Sequence, residues 1–542
     1  MSLTLGLTPP SSVARLAIKP ERVRRVLGAT GLQRRRDPCH RNQYAAHRWL
    51  ATQTKLPADN HPLAYTWLTR TPEEITPDDV LSTIPSLSGS RLESKPIPII
   101  LVTPSFAPWV DTSHTFLEQW INRLYHNPPG DSNSSTYAFV AIVDRLPDTS
   151  REPGNASKEG AREYEGISVL FSSAENIQGK AAAPRRLRAT DAPEAAFVFS
   201  VQTDTNATNE GTRPPIHEVG LRLANTIFLN GKENTLFGTR WGYNASSSGY
   251  NLDQVIDLSR CLITSNTESI HTSLGLPLYP VGRRRRVVTS MGNILRQITK
   301  HADGQSMEPM PASTELEKEL PRYIEEHDIT DHRVSVWALI EGPDQHGADR
   351  SPDDLTKALQ AGGKLHHVMS GGGGWGKKQG LLSLDPEISF LAPSDDGEPV
   401  SLNGLFSPQA EDSLPDRMPS LDRVFIDDLS SLSQVARAGD YIQFFVSVSS
   451  GHEQDRSDRS LVPEEALSCH FGVVADAESP MASPSTSLER KDLIQVPNHF
   501  GALSEKAVTY LQPIVPAKSE GELLESSTKL NMAGARISLA LE

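Results

Sequence analysis

The sequence predicts a fold of the α/β or α+β class, with a mixed sheet, interleaved helices and long polar loop insertions. Short apolar runs of strand length alternate with segments of helical periodicity from residue 95 to the C-terminal region. Polar stretches rich in Gly, Ser and Pro separate these segments. The length of 542 residues is sufficient for two to four domains.

The clearest predicted unit lies at residues 96–143. Residues 96–102 and 137–143 are short apolar runs rich in β-branched side chains, which predict buried strands. Between them, residues 113–125 place apolar side chains at helical spacing. Strand, helix and strand in this order are typical of a βαβ unit.

Further elements follow along the chain. Strands are predicted at residues 167–171, 195–201, 333–341, 441–448 and 469–474. Helices are predicted at residues 252–263, 291–300, 314–326, 353–361 and 502–511. Polar insertions or long loops are predicted at residues 147–165, 178–191, 204–215, 394–419 and 477–489.

One local pattern predicts a β-hairpin. Asn230-Gly231 stands between residues 219–229 and 233–241, which both have β-rich composition. Asn and Gly are favoured in such turns because both central positions need a positive φ. The alternative is a helix that ends with Gly231 as its C-cap.

The first 50 residues differ from the rest of the chain in charge. They contain ten Lys or Arg residues and only two acids, so this segment carries +8 and the remaining chain −22. An Arg-rich, acid-poor segment that can form an amphipathic helix is typical of a mitochondrial transit peptide. We therefore predict that residues 1–50 are a targeting presequence and that the protein acts in the mitochondrial matrix. A basic tail that binds RNA or an acidic partner is the alternative.

The remaining sequence is predicted to form two domains. The polar, Pro-containing stretch 304–312 is the best candidate boundary. We predict an N-terminal mixed α/β domain at residues 51–303 and a C-terminal mixed α/β domain at residues 313–542. No apolar run reaches the roughly 18 residues that a membrane-spanning helix needs, so no membrane span is predicted. Three cysteines exclude a disulfide framework, and a net charge of −14 argues against a protein that coats nucleic acid.

The most unusual segment is the Gly-rich segment, residues 370–380. Its candidate ligand- or RNA-binding residues are Gly371, Gly372, Gly373, Gly374, Trp375, Gly376, Lys377 and Lys378. Gly371, Gly376 and Lys377 match the phosphate-loop spacing, but Lys378 stands where that motif needs Ser or Thr. Consecutive glycines can form an anion-binding concavity, and Trp375 offers a stacking surface. The alternative is a Gly-rich hairpin or lid anchored by Trp375.

A second candidate is the arginine cluster, Arg283, Arg284, Arg285 and Arg286. Guanidinium groups bind phosphates well, so this cluster is a candidate site for RNA or another polyanion. The alternative is a solvated turn or a set of salt bridges to the abundant acids. A polyanion site becomes the better interpretation if the cluster and the Gly-rich segment converge in space.

Catalytic and metal-binding patterns are weak. Asp111, Ser113 and His114 lie close in sequence, but they are better interpreted as the N-terminus of a helix that Thr112 or Ser113 caps. The other candidate positions lack the spacing of a zinc or helical metal site, and they are Cys261, Cys469, His470, His366 and His367. The sequence therefore predicts no metal site and identifies no cofactor or catalytic residue.

Residues 370–386, together with residues 291–298, resemble blocks in a family of uncharacterised fungal mitochondrial proteins. The resemblance covers a small part of the chain. It implies a mitochondrial location and brings no activity, substrate or functional residue with it.

The leading hypothesis is a non-enzymatic matrix accessory protein that binds RNA, a ribonucleoprotein or another polyanionic partner in mitochondrial gene expression or complex assembly. The first alternative is an enzyme whose phosphate-bearing small-molecule substrate is held by the Gly-rich segment. The second is an assembly factor that binds a protein partner through its acidic surface.

Overall fold

A computed structural model corrects the predicted fold class, because the chain is mostly β-sheet. Strands contain 52% of the described residues and helices 15%. The structure describes residues 62–85, 87, 95–125, 135–148, 163–183, 194–203, 214–226, 234–302, 306–329, 334–345, 347–371, 380–391, 399–407, 434–448, 466–475, 492–514 and 524–542. Among these residues, no helix is long and apolar enough to cross a membrane.

Many strands and a few short helices follow one another along the described part of the chain. The strands are β1 (Ala64–Thr69), β2 (Ile97–Val102), β3 (Ser135–Ile142), β4 (Leu146–Pro147), β5 (Glu163–Ser172), β6 (Ile177–Ala181), β7 (Ala196–Thr203), β8 (Ile216–Arg222), β9 (Leu236–Asn244), β10 (Gly249–Thr267), β11 (Ile270–Gly275), β12 (Tyr279–Met291), β13 (Ile294–Thr299), β14 (Pro309–Pro311), β15 (Val334–Glu341), β16 (Lys364–Gly371), β17 (Leu382–Leu384), β18 (Val400–Ser401), β19 (Tyr441–Val448), β20 (Leu467–Val473), β21 (Ile494–Pro497), β22 (His499–Ser504), β23 (Val508–Pro513), β24 (Glu525–Leu530) and β25 (Arg536–Leu541). The α-helices are α1 (Pro77–Leu81), α2 (Phe116–Leu124), α3 (Ser313–Glu326), α4 (Leu355–Gln360) and α5 (Leu402–Leu405).

A fourteen-stranded sheet forms the largest layer. Its main path runs β21-β1-β5-β2-β3-β9-β10-β7-β8-β23-β24. The predicted βαβ unit is confirmed, since β2 and β3 pair in parallel with α2 between them in the chain. The apolar side chains of α2 stand at helical spacing and are buried, and they pack with Trp67 and Trp241 on one face of this sheet. Burial of that face fixes the helix against the sheet.

The opposite face of the large sheet packs in a second hydrophobic core. This core contains Phe199 from β7, Phe471 from β20, Phe500 from β22 and Trp337 from β15. It therefore joins three sheets, because β20 and β22 belong to a four-stranded sheet ordered β11-β25-β20-β22. In that small sheet β20 and β22 are parallel, with Cys469 opposite Phe500.

The third sheet closes into a barrel. Its order is β12-β19-β15-β16-β17-β13, and β13 pairs again with β12, so six antiparallel strands form a ring; β14 adds to β13 outside it. Alternate residues of each strand face the interior, as a closed sheet requires. On β15, Ala338 and Ile340 belong to the barrel core, whereas Trp337 and Leu339 belong to the core outside the barrel.

Three helix predictions are wrong. Residues 252–263 lie in β10, residues 291–300 span the end of β12 and all of β13, and residues 502–511 span parts of β22 and β23. In each segment, apolar residues recur at spacings that fit a helix face and a strand face equally well. Pairing with strands distant in sequence decides the outcome, since burial and ladder hydrogen bonds outweigh local helix propensity.

The β-hairpin predicted at Asn230-Gly231 is also wrong. Neither residue is among those described, but the flanking strands β8 and β9 do not pair with each other. β8 lies between β7 and β23, and β9 lies between β3 and β10. Both edges of each strand are therefore occupied by other partners.

Several other predictions are confirmed. The strands predicted at residues 167–171, 195–201, 333–341, 441–448 and 469–474 correspond to β5, β7, β15, β19 and β20, and the helices predicted at residues 314–326 and 353–361 correspond to α3 and α4.

The barrel takes strands from both sides of residues 304–312, the predicted domain boundary, and β14 lies within that stretch.

Candidate functional site

A cavity of about 1140 Å³ lies where the barrel meets the C-terminal strands. One wall comes from α3 and from the ends of β15, β16 and β17. The other comes from the residues that follow β20, β22 and β24. Thirteen of its twenty-two described lining residues are apolar. This composition is typical of a binding cavity for an organic ligand.

The barrel wall contributes both apolar and polar groups because β15 alternates at the cavity. Val334 and Val336 pack against the barrel core and also line the cavity. Ser335 lies between them, and its hydroxyl accepts a hydrogen bond from the Trp337 indole at 3.2 Å. Successive side chains of β15 point to opposite faces of the strand, so the cavity borders both faces at this end of β15.

Gly371, the first residue of the predicted glycine motif, lines the same cavity. It ends β16 opposite Leu382, and a Cβ at this position would lie 2.2 Å from the Leu382 Cδ2 atom. A larger side chain at this position would therefore require the Leu382 side chain to move. The other candidate residues of the Gly-rich segment are outside the described residues, and they are Gly372, Gly373, Gly374, Trp375, Gly376, Lys377 and Lys378.

The opposite wall is built where two parallel strands end. Val474 and Ala475 follow β20, Glu505 follows β22, and all three residues line the cavity. The Val474 amide donates to the Ser504 carbonyl at 2.9 Å, which keeps the two chain segments together beyond the strands. Ligand sites commonly form outside the carboxyl ends of parallel strands, because several loops converge there.

Asp144 positions this wall from the large sheet. Its carboxylate accepts a hydrogen bond from the Glu505 amide at 2.8 Å, and its own amide donates to the Leu503 carbonyl at 3.2 Å. Burial raises the pKa of Asp144 to about 6, and the hydrogen bond from Glu505 opposes part of that rise. Asp144 therefore fixes the backbone of Glu505, which is one of the lining residues of the cavity.

Two adjacent histidines of β16 face opposite sides of the barrel wall. His367 lines the cavity, and its ring lies 5.0 Å from the Trp337 ring. His366 pairs with Ala338 of the barrel core, and its Nδ1 donates to the Asp385 carbonyl at 2.8 Å. Burial lowers the pKa of both imidazoles. Both rings are therefore neutral at pH 7, and His367 offers the cavity a polar but uncharged group.

The described charges at the cavity are negative. Glu317 and Glu505 are its acidic lining residues, and no described Lys or Arg lines it. The Ser313 hydroxyl donates to the Glu317 carboxylate at 2.7 Å. Within the described residues, neither glutamate forms an ion pair with a basic side chain.

The arginine cluster lies in β12 and is largely engaged inside the fold. Arg284 is 4% exposed and pairs with the buried Glu341 carboxylate at 2.8 Å. Its guanidinium also donates to the carbonyls of Gln345 and Gly347, at 2.6 and 3.1 Å, and lies 4.2 Å from the Tyr441 ring. Arg284 is thus a buried structural residue whose donors are largely occupied.

The other three arginines have different surroundings. Arg285 pairs with the buried Glu315 of α3 at 2.6 Å. Arg286 lies over the Tyr441 ring at 5.1 Å. Arg283 is exposed, and its Nε lies 3.7 Å from Asp349. The interpretation as a set of salt bridges therefore fits Arg284 and Arg285, and Arg283 is the member open to solvent.

The arginine cluster and Gly371 do not converge in the described structure. β12 and β16 lie three positions apart in the six-stranded ring, on opposite walls of the barrel. None of the four arginines is among the described residues that line the cavity. The condition for a shared polyanion site is therefore not met by the residues described.

The remaining sequence candidates are structural. The prediction of a helix N-terminus near Asp111 is confirmed, but capping by Thr112 or Ser113 is wrong, because Thr115 is the N-cap residue and the Phe116 amide donates to His114 Nδ1 at 3.1 Å. Cys261 and Cys469 are buried free thiols, and burial raises the pKa of both. The described residues contain no group of three or more His, Cys, Asp or Glu side chains that could hold a metal ion.

Sequence reasoning missed most of this site. Ala475, Glu505 and Met532 follow three separate C-terminal strands, and none belongs to a recognisable motif. A signal existed in the short apolar run before Glu505, but we interpreted it as part of a helix. Recognition of residues 467–473 and 499–504 as two parallel strands would have pointed to the residues that follow each strand as a candidate ligand site.

No protein-family model, curated protein or solved structure matches this chain. The resemblance to fungal mitochondrial proteins thus stays a prediction, and function is argued from the site alone.

Proposed function

We propose that this protein binds a small, mainly apolar molecule in the cavity between the barrel and the C-terminal strands. The observation that carries the proposal is the cavity itself, about 1140 Å³ with a mostly apolar described lining. Ligand cavities in proteins have volumes of roughly 300–1,000 Å³ and place a few polar groups among apolar ones. The size and lining of this cavity fit a ligand of drug or metabolite size.

The polar groups are arranged to orient such a ligand. Ser335 and His367 lie on the barrel wall, and Glu505 lies on the opposite wall. Rigid β-structure holds both walls, and Asp144 fixes the backbone at Glu505. Groups that are held in place before a ligand arrives lose little entropy on binding, which favours affinity.

The position of Gly371 favours a small molecule over a long RNA. Gly371 ends β16 at the cavity, whereas Arg284 and Arg285 are paired with Glu341 and Glu315. Binding of RNA, of a ribonucleoprotein or of a protein partner stays a prediction from the sequence. Its test is salt-dependent binding of short RNAs by the full chain, with Lys377→Ala as the variant that should weaken it.

A thermal-shift screen tests the proposal directly. The full chain is screened against uncharged, cationic and anionic apolar compounds, and each hit is repeated with Ala475→Trp, which places a large ring at the cavity. A ligand at about 100 times its Kd adds about 2.7 kcal/mol of stability. We expect Ala475→Trp to abolish the shift.

The matched control is Ala182→Trp. Both alanines are half-buried. The Ala475 amide donates a hydrogen bond to the Glu163 carboxylate, and the Ala182 amide donates one to the Asp257 carbonyl. Ala182, however, does not line the cavity. This variant should keep the full ligand-induced shift. Hits that survive Ala475→Trp unchanged, or a screen without hits, would contradict the proposal.

We also propose that the protein works in the mitochondrial matrix, supported by the charge and composition of residues 1–50. Import of the full chain into isolated mitochondria tests this. Protection from added protease that requires the membrane potential is the expected result, and protection without residues 1–50 would oppose it.

A further inference from the structure

The charge around the cavity restricts the ligand further than its shape does. We infer that the ligand carries a positively charged group, such as an ammonium, on its apolar body, and that this group faces Glu317 and Glu505. The inference rests on the proposed function and names the chemical class of the ligand. Opposite charge at the rim of a site raises the association rate and excludes ligands of like charge.

The first argument is that the carboxylates at the rim have no described cationic partner. Glu317 lies on α3, where Lys318 and Arg322 instead pair with Glu319 at 3.2 and 2.8 Å. Among the described residues, Glu317 accepts a hydrogen bond from the Ser313 hydroxyl at 2.7 Å. A hydroxyl carries no charge, so among the described residues nothing at this rim balances the Glu317 carboxylate.

The second argument concerns the basic residues closest to the other wall. Lys506 follows Glu505 but pairs with Glu194 at 3.0 Å. Lys529 lies in β24, shortly before the lining residues 531–533. It pairs with Asp385 at 2.7 Å and also with Glu387. Each ammonium is thus held by carboxylates that do not line the cavity.

The third argument concerns three further groups near the cavity, of which Arg145 pairs with Glu165 away from the lining. Arg536 pairs with Glu163 at 2.9 Å and donates to the Val473 carbonyl, so its charge is also engaged away from the lining. His367 does line the cavity, but its ring is neutral at pH 7 because burial lowers its pKa. An anionic ligand would therefore meet two carboxylates and no described counter-charge.

The test is isothermal titration calorimetry of the full chain with three probes of equal chain length. These are decylamine, decanol and decanoate, each below its critical micelle concentration. We expect decylamine to bind about tenfold or more tightly than decanoate, with decanol between them. Glu317→Gln and Glu505→Gln should each weaken decylamine binding by about threefold to tenfold and leave decanol binding unchanged.

A matched control separates a local effect from the net charge. Glu326→Gln removes one negative charge from an exposed position in the last turn of α3, where Glu326 pairs with Arg322. It should leave all three affinities unchanged. An equal loss of decylamine binding in this variant would overturn the inference.

The remaining outcomes distinguish this inference from the function on which it rests. Equal affinities for the three probes, each abolished by Ala475→Trp, would overturn the positive charge and keep the cavity as the binding site. Tighter binding of decanoate, lost in Lys377→Ala, would overturn it in favour of an anionic ligand. Binding of the three probes that is insensitive to Ala475→Trp would remove both proposals.

Discussion

Substitution of Arg284 by methionine is the sharpest test of the structural role of the arginine cluster. The change removes a guanidinium from a site where the Arg284 side chain is 3% exposed and the Glu341 side chain 1% exposed. Breaking a buried ion pair by removal of one partner costs about 3–5 kcal/mol, because the other charge stays buried. Arg350 still contacts Glu341 at 2.7 Å, which places the expected loss near the lower end of that range.

The adjacent Arg283 provides the matched control. Its side chain has the same charge and length as that of Arg284, but it is 71% exposed, and its Nε lies 3.7 Å from the Asp349 carboxylate. Exposed pairs of this kind contribute about 0–1 kcal/mol, so Arg283→Met should be nearly neutral. The difference between two neighbouring residues thus isolates burial as the cause.

Urea denaturation followed by tryptophan fluorescence measures both variants. The free energy of unfolding should fall by about 3 kcal/mol for Arg284→Met and by less than about 1 kcal/mol for Arg283→Met. Equal losses in the two variants would refute the assignment of Arg284 as a buried structural residue. Unchanged stability in both would do the same.

Three further predictions concern the strands around the site. Gly166→Ala should destabilise the fold by at least about 2 kcal/mol, because a Cβ there would lie 1.9 Å from a carbonyl oxygen of β1, whereas Gly242→Ala meets no atom within 4 Å; equal denaturation midpoints would contradict this. The folded pKa of Asp144, about 6 against 3.8, means that wild-type stability falls as pH rises through this interval. Asp144→Asn lacks this titration, so its stability relative to wild type should increase by about 2 kcal/mol between pH 4 and pH 7 in denaturation experiments; a pH-independent difference would be evidence against it. Cys261 and Cys469 should resist a thiol reagent until the protein unfolds, since burial raises the pKa of both thiols, and rapid labelling of either in native buffer would show otherwise.

Local sequence signals were sufficient where one element carries its own pattern. The helix α2 has five apolar residues on one face between two β-branched runs, and this pattern alone identifies the βαβ unit. The helix predicted at residues 314–326 is α3, which begins at Ser313, whose hydroxyl donates a hydrogen bond to the Glu317 carboxylate. Such elements depend on neighbours within one or two turns.

Other elements depend on partners that the local pattern does not contain. In β10, Ile256 and Ile263 fit one helix face, but both pack in the core that contains Phe199 when the segment is a strand. Pairing of β10 with β9 and β7 decides between the two structures. Closure of the barrel depends on β12 pairing with both β13 and β19. Because of these contacts between distant segments, the fold is dominated by strands and is not the α/β fold that the sequence predicts.

The site shows the same limit. Arg284 pairs with Glu341, and Arg285 pairs with Glu315. Each glutamate lies more than 29 residues from its arginine along the chain, so the spacing of residues in the sequence could not decide between salt bridges and a polyanion site. Gly371 was singled out for its glycine-rich context, and the structure places it at the cavity. The opposite wall, including Glu505, forms only when the parallel strands β20 and β22 pair.

Photolabelling with an apolar amine that carries a diazirine tests the binding cavity most directly. The full chain is irradiated with the probe, digested, and mapped by mass spectrometry, with and without excess decylamine. We predict that labels concentrate on accessible cavity residues such as Met369 and Ala533, and that excess decylamine removes them. Labels spread over peptides away from the cavity, or cavity labels that decylamine does not displace, would contradict the account.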